Sequence, residues 1–504
     1  MKRESLALIA LLACGAANVS RAAEAPPAAT ADVRCARMVG ATGQPNAIVT
    51  SAVRVSADPN LGLPAFCELT VVLGPAAGSV ITSIYRLPDN WNGKMLGLGG
   101  GGWAGQLALL SPRANVLAAT SGLPRGYATA QTDAGHPTAN AADPGWVRGN
   151  PAAVTDFGHR AIHETAVLGK VLVARYYGRA SDRNYFMGCS TGGRMAMMES
   201  QRYPDDYEGI VAKAPVYSLL VQSSTVLRDR IFRAPGAEIS PALLRKVNAA
   251  ALAACDKDDG LVDGVLSKPY ACNWEPAAML CKAGESPGNC LTAPQVKAVR
   301  DLYTTIRGKD GAVGSYGMPR GSEAGWNPFI ATLISTARTA INGALGELTE
   351  LMFGDAGFYL SEFDVADQAA VHASPFAKEY EASSTDLSRY FKRGGKLILW
   401  HGLDDPGPSA LATADYYEKA VKQNGADNIR FYGAPGVYHC GGGPGADQTD
   451  LLTAMEQWVE EGRAPGQLLA ANTRTGYTRP LCEWPKTPRY TSGDPKLAAS
   501  FRCE

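Results

Sequence analysis

The sequence predicts an α/β fold: a mainly parallel sheet with flanking helices, interrupted by a large inserted unit. Three observations lead there. Short apolar runs alternate with helically spaced ones from residue 35 to 215, and the same alternation returns from 388 to the end. Between 216 and 387 the character changes to a segment with four cysteines, an acidic Gly-rich loop and helical patterns. A chain of 504 residues also exceeds what one hydrophobic core usually holds, so two compact units are expected.

The elements follow in order. Residues 80–87 and 94–98 have the apolar content of strands. Residues 161–177 carry apolar positions at helical spacing. Residues 184–187 form a short strand, and 194–203 form a helix that stops before Pro204, whose ring cannot continue it. Inside the insertion, 294–306 and 331–353 read as helices. Residues 396–400 are a compact strand, 409–423 a helix, 428–432 a strand and 451–461 a closing helix.

Composition narrows the class. Hydrophobic residues make up 46% and charged residues 19%, the profile of a globular protein. Lys plus Arg and Asp plus Glu both total 48, with no basic stripe or charged tail. Nucleic acid and anionic membrane surfaces are therefore not expected as partners. Lys2 and Arg3 precede an apolar run over 6–17, followed by Ser20, Ala22 and Ala23, so residues 1–23 read as a secretory signal peptide. The run Leu11-Leu12-Ala13-Cys14-Gly15 also matches a bacterial lipoprotein box, in which Cys14 would carry lipid. No later stretch reaches about 18 consecutive apolar residues, so no transmembrane segment is expected. The domain plan is a leader at 1–23, a catalytic unit of 35–215 with 388–504, and a lid at 216–387. The protein is expected to be secreted or periplasmic, with a lipid anchor through Cys14 as the alternative.

Without Cys14, ten cysteines are left, and in an exported chain an even number suggests disulfides. Spacing suggests local pairs of Cys35 with Cys67, Cys255 with Cys272, Cys281 with Cys290, and Cys482 with Cys503. Cys189 and Cys440 are left over.

Gly188-Cys189-Ser190-Thr191-Gly192 fits the G-x-S-x-G nucleophile elbow of α/β-hydrolases. A strand precedes it and a helix follows, as an elbow requires. Serine is a weak nucleophile until a base takes its proton, and a third group must orient that base. In this fold the acid follows the serine and the histidine follows the acid. Only His372, His401 and His439 come after Ser190. His439 lies just beyond a strand-like segment and reads as the base. His401 precedes the acid candidates and reads as a packed or pocket-lining histidine. Asp404 and Asp405 stand side by side as the acid, and the residue pattern alone does not choose between them. The N–H of Thr191 is one expected oxyanion donor, and the second is sought in Gly99-Gly100-Gly101-Gly102-Trp103.

Residues 256–263 hold four carboxylates, on Asp256, Asp258, Asp259 and Asp263. Crowding of this kind favours solvation or a cation, and glycine-permitted turns with carboxylates and carbonyls suit Ca²⁺. The loop is not an EF-hand, because Ser267 stands where the bidentate Glu would be required.

The run Gly188-Cys189-Ser190-Thr191-Gly192-Gly193-Arg194, the pattern His401-Gly402-x-x-Asp405, and His439-Cys440 followed by glycines carry a family likeness. The sequence resembles the tannase and feruloyl esterase family, which also contains MHETase, over nearly the whole mature chain. The resemblance implies an α/β-hydrolase fold with a large inserted lid and a triad of Ser190, Asp405 and His439. It also implies a Cys189–Cys440 bridge, Gly102 as the second oxyanion donor, and a structural calcium ion. That ion would take the side chains of Asp256, Asp259 and Asp263 with the carbonyls of Leu261 and Val265. The implied substrates are small aromatic esters. A secreted serine carboxylesterase of the feruloyl type is expected, with a tannase or an MHETase-like hydrolase next. MHETase uses a lid arginine for its substrate's free carboxylate; the corresponding stretch, 344–349, has none, although Arg338 is near. The acyl slot is expected among the lid aromatics Trp274, Tyr316, Trp326, Phe329, Phe353, Phe358 and Tyr359, most of which should fill the lid core. A secreted serine peptidase and a catalytically silent, calcium-stabilised binding protein are the readings from other classes.

Overall fold

The computed structural model describes residues 30–105, 122–138, 145–147, 149–221, 231–232, 234–286, 288–308, 311, 313–326, 372–472 and 474–504. The signal peptide with Cys14, the helical pattern at 331–353, Arg338 and 344–349 lie outside the described residues. So do Phe329, Phe353, Phe358 and Tyr359.

A ten-stranded sheet organises the chain. Its strands are β1 (Gly40–Ala41), β2 (Ala47–Val55), β3 (Phe66–Leu73), β4 (Ile81–Pro88), β5 (Lys94–Leu98), β6 (Ala128–Thr132), β7 (Arg183–Cys189) and β8 (Gly209–Lys213). After a two-stranded hairpin of β9 (Ile306–Arg307) and β10 (Val313–Ser315), the sheet resumes with β11 (Lys396–Gly402) and β12 (Ile429–Ala434). The spatial order is β1-β2-β3-β4-β6-β5-β7-β8-β11-β12. The first four pairings in that order are antiparallel and the remaining five parallel. The sheet is thus mixed, which corrects the expectation of a mainly parallel one. The difference lies in β1–β3, for which the sequence pattern gives no strands, and in β4, expected at 80–87, which runs antiparallel to both β3 and β6. Ile48 and Val53 of β2 are half exposed, so its apolar residues do not sort by face as a half-buried strand's do.

The parallel half follows the expected plan closely. β5, β7, β11 and β12 are the strands read at 94–98, 184–187, 396–400 and 428–432. Their central residues are buried on both faces, as a helix-covered parallel sheet demands. Helix α1 (Ala161–Tyr177) covers one face and ends at the left-handed Gly178. A Cβ at Gly169 would stand 3.0 Å from Met95 Sδ and 3.1 Å from a Tyr85 ring carbon, so glycine lets α1 press against β4 and β5. Helix α2 (Thr191–Arg202) begins three residues earlier than the sequence pattern suggested, directly after Ser190.

The insertion between β8 and β11 has its own apolar cluster. Helices α3 (Pro241–Cys255) and α4 (Ala293–Tyr303) pack Leu243, Leu244, Val247, Val296, Val299 and Leu302 around Trp326. Helix α4 ends before Ile306, which turns into β9. Of the lid aromatics that are described, Trp326 is fully buried in that cluster and Trp274 packs against it. Tyr316 instead reaches out of the insertion, its hydroxyl donating to Asp415 Oδ2 at 3.0 Å. Helices α5 (Ala410–Asn424) and α6 (Leu451–Glu461) complete the sheet's cover. Among the described residues no helix is long and apolar enough to cross a membrane.

Candidate active site

Ser190 sits between β7 and α2 with φ 62° and ψ −123°, a conformation that costs on the order of 1–3 kcal/mol for a non-glycine residue. Three backbone hydrogen bonds hold it: its N–H donates to Lys213 O at 3.0 Å, and its carbonyl accepts from Arg194 and Val216 at 3.0 and 3.2 Å. The elbow glycines are required by close approach. A Cβ on Gly188 would lie 2.4 Å from Gly192 O, and one on Gly192 would lie 2.7 Å from Gly100 O. The nucleophile turn therefore presses directly on the Gly99–Gly102 loop. There the Thr191 hydroxyl donates to Gly102 O, and Gly102 itself has φ 58°. The two expected oxyanion donors are thus neighbours. His136 anchors the same loop by donating from Nε2 to Trp103 O at 2.7 Å. The fully buried Arg194 ties α2 to the turn before α1, donating to Phe157 O at 2.8 Å and Gly158 O at 2.7 Å.

The acid and base candidates come from the ends of β11 and β12. His439 Nδ1 donates to Asp405 Oδ2 at 2.7 Å. Asp404 points elsewhere: its Oδ1 accepts from Gly436 N–H at 3.2 Å, and burial pushes its carboxyl well above the usual range. Asp405 behaves oppositely. Burial alone would raise it, but the charges and hydrogen bonds of His439 and His401 outweigh that and hold it down at about 2. Gly407 N–H completes its surroundings with a 2.7 Å bond to Oδ1. Gly402 explains the glycine in His401-Gly402-x-x-Asp405, since a Cβ there would stand 2.3 Å from Val437 O. The loop carrying His439 could not pass β11 otherwise.

Cys189 and Cys440 form a disulfide, joining the residue before Ser190 to the residue after His439 across 251 positions. The four local pairs, Cys35–Cys67, Cys255–Cys272, Cys281–Cys290 and Cys482–Cys503, are present as spacing suggested. Closing so long a loop stabilises the fold by roughly 5 kcal/mol in the chain-entropy account. Replacing both Cys189 and Cys440 with Ala is expected to lower kcat more than it raises KM, because errors of about 1 Å between nucleophile and base are costly. Steady-state kinetics on the double variant checks this, and unchanged turnover refutes it.

Sequence reasoning missed the part His401 plays. It is fully buried and its Nε2 lies 3.1 Å from Asp405 Oδ2, so the acid has two imidazole partners. The available signal was the four-residue spacing at a strand end, which can bring both side chains to one loop.

The acidic loop follows α3 through a turn at Asp256–Asp259 and the left-handed Gly260. Asp259 Oδ1 accepts from Leu261 N–H at 3.1 Å, Asp256 Oδ2 from Gly264 N–H at 2.8 Å, and Asp263 Oδ1 from Val265 N–H at 3.1 Å. Burial pushes the Asp256 and Asp259 carboxyls up, and Asp256 Oδ1 is buried with no hydrogen-bond partner. Asp263 Oδ2 is tied to Arg479. Among the described residues no three His, Cys, Asp or Glu side chains converge as a metal cage.

Comparison with known proteins places this geometry. A family model described as tannase and feruloyl esterase matches residues 67–504. The chain belongs to the tannase and feruloyl esterase family. Mono(2-hydroxyethyl) terephthalate hydrolase of Piscinibacter sakaiensis is 33% identical over 519 residues, covering 88% of this chain and 85% of that protein. A probable feruloyl esterase of Arthroderma benhamiae is also 33% identical, over 87% of this chain and 85% of its own. Among solved structures, feruloyl esterase B from Aspergillus oryzae superposes with a TM-score of 0.80 at 26% identity, covering 92% of this chain and 97% of that one. The family's fold, an α/β-hydrolase, is the fold of this chain. Like its relatives it is a carboxylic ester hydrolase.

Proposed function

We propose that this enzyme hydrolyses esters of aromatic, hydroxycinnamate-type acids through an acyl-enzyme on Ser190. The observation that carries the mechanism is the 2.7 Å bond from His439 Nδ1 to Asp405 Oδ2, on a loop covalently joined to the residue before Ser190. With Nδ1 donating to the acid, Nε2 is the basic nitrogen. It takes the Ser190 proton as Oγ attacks the ester carbonyl carbon. The N–H groups of Gly102 and Thr191 receive the oxyanion. Collapse breaks the bond to the alcohol oxygen, which leaves with the proton from His439. Water then repeats the sequence and frees the acid and Ser190.

The aromatic acyl class is supported by relatives named as feruloyl esterases. A terephthalate monoester is the second reading, favoured by the 33% identity to mono(2-hydroxyethyl) terephthalate hydrolase. Against it, 344–349 carries no arginine. A galloyl ester is the third. A panel of ferulate, caffeate, gallate, chlorogenate and mono(2-hydroxyethyl) terephthalate esters tests the assignment. Ferulate or caffeate esters should give the highest kcat/KM; a clear preference for the terephthalate ester would overturn the substrate class while leaving the mechanism.

We also infer that residues 216–387 act as a lid, and that the protein is exported, since five disulfides suit an oxidising compartment. We infer a structural Ca²⁺ in the acidic loop, held by Asp256, Asp259 and Asp263 with the carbonyls of Leu261 and Val265; Asp259 and Asp263 would have to turn from Ser267 and Arg479 to meet it. The unpartnered, buried Asp256 Oδ1 supports that reading, because a cation would neutralise a carboxylate that burial disfavours. Millimolar Ca²⁺ is then expected to raise the melting temperature by several degrees over the chelated protein. Calorimetry showing no difference would remove the site.

A further inference from the structure

The acid in most such triads serves one histidine, but Asp405 here serves two. Its Oδ1 is occupied by Gly407 N–H at 2.7 Å. Its Oδ2 receives His439 Nδ1 at 2.7 Å and His401 Nε2 at 3.1 Å. All the Asp405 and His401 side-chain surface is buried, so these bonds act in a poorly screened interior.

The partners of His401 define its protonation. Nε2 also lies 3.0 Å from Pro408 O, and a carbonyl and a carboxylate both accept, so the proton is on Nε2. In the neutral ring Nδ1 accepts, and Thr413 Oγ1 stands 2.8 Å away to donate. Thr413 belongs to α5 and His401 to β11, which is flanked by β8 and β12. Thr413, His401, Asp405 and His439 therefore form one chain of hydrogen bonds, rooted at one end in the sheet and in a helix. Among the described residues, the other ionisable groups nearby are engaged elsewhere. Asp404 takes Gly436 N–H and faces Glu323, Asp447 takes Gly442 N–H at 2.8 Å, and Lys213 Nζ lies over the Trp400 ring at 4.6 Å.

We propose that His401 is a positioning residue for ester hydrolysis, which fixes the Asp405 carboxylate and draws off part of the charge Asp405 offers to His439. The proposal rests on the reading of Asp405 and His439 as acid and base. Its consequence has a definite sign. His439 gains its proton from Ser190 with help from the Asp405 charge. A second N–H on the same oxygen shares the charge that would otherwise be directed at His439 alone. Removing the second donor gives the whole oxygen to His439 and makes its imidazolium more stable.

The test is the pH dependence of kcat/KM for methyl ferulate in wild type, His401→Phe, His401→Gln and Thr413→Val. In His401→Phe the acid limb is expected to move up by about 0.5–1 pH unit, with kcat reduced about tenfold. His401→Gln places an amide N–H where Nε2 stood, so its limb should return towards wild type. Thr413→Val frees the tautomer and should move the limb in the same direction by less. A limb that is unmoved or shifted down in His401→Phe, with kcat lowered equally at every pH, would mean packing alone and overturn the proposal. If His401→Phe does not fold, an unmoved limb in Thr413→Val overturns it instead. Activity retained in His439→Ala would sink the triad reading itself, which is a different outcome from either.

Discussion

Hydrolysis of methyl ferulate by Ser190→Ala is expected to fall by roughly 10⁶ in kcat, with KM little changed. The expectation rests on what the elbow keeps when the hydroxyl goes. Alanine adopts the φ 62° conformation no less readily than serine, and the three backbone bonds around residue 190 involve no side chain. The N–H of Thr191 and the Gly102 loop stay in place, so substrate binding and oxyanion stabilisation persist. Only the attacking atom is lost. What is left is the residual acceleration of about 10³–10⁴ over water that binding and oxyanion donors provide on their own. Single-turnover and steady-state rates on the variant measure this, with the melting temperature as a check on folding. A loss below about a hundredfold would place the nucleophile elsewhere.

Asp405→Asn is expected to lower kcat by roughly 10⁴. The carboxylate oxygen at 2.7 Å accepts from His439 Nδ1 and so fixes the tautomer in which Nε2 carries no proton and can act as the base. An amide can turn its NH₂ to Nδ1, which moves the ring proton to Nε2 and blocks attack. Asp405 is suited to its task because His439 and His401 outweigh burial and hold its carboxyl at about 2, so it stays ionised well into the acid range. The linkage is that of a depressed acid. Its contribution to stability is complete above the unfolded value of 3.8 and is lost as pH falls through about 2. Asp404 is the internal control. Burial raises its carboxyl, and its Oδ1 accepts from the backbone N–H of Gly436. Asp404→Asn is therefore expected to keep kcat within about tenfold of wild type, and comparable losses in both variants would undo the assignment of the acid.

Much of the site was legible because its residues sit where strands end. Gly188 and Gly192 approach each other closely across the turn that carries Ser190, and such contacts leave a fixed local spacing in sequence. The four local disulfides were also readable, from short separations of 9 to 32 residues. Long-range partners were not. Nothing local separates Asp404 from Asp405; the choice came from family likeness, and the geometry that distinguishes them depends on the loop at Gly436 to His439. Chain order excludes His401 as the base and leaves it a packed or pocket-lining histidine, because order carries no information about a second partner for the acid. The β1–β3 meander escaped for a different reason. Its strands pair with each other over a sheet edge where Ile48 and Val53 face solvent, so the alternation that marks a half-buried strand is blurred.

The most direct test of the central claim is covalent capture with a fluorophosphonate ester, followed by peptide mapping. An activated serine attacks phosphorus, expels fluoride and keeps a stable adduct that mimics the tetrahedral intermediate. The account predicts one adduct per chain, on the peptide that contains Ser190, formed far more slowly in His439→Ala and matched by loss of methyl ferulate hydrolysis. Rapid labelling of another serine with activity lost in parallel, or full activity in a protein labelled at Ser190, would contradict it.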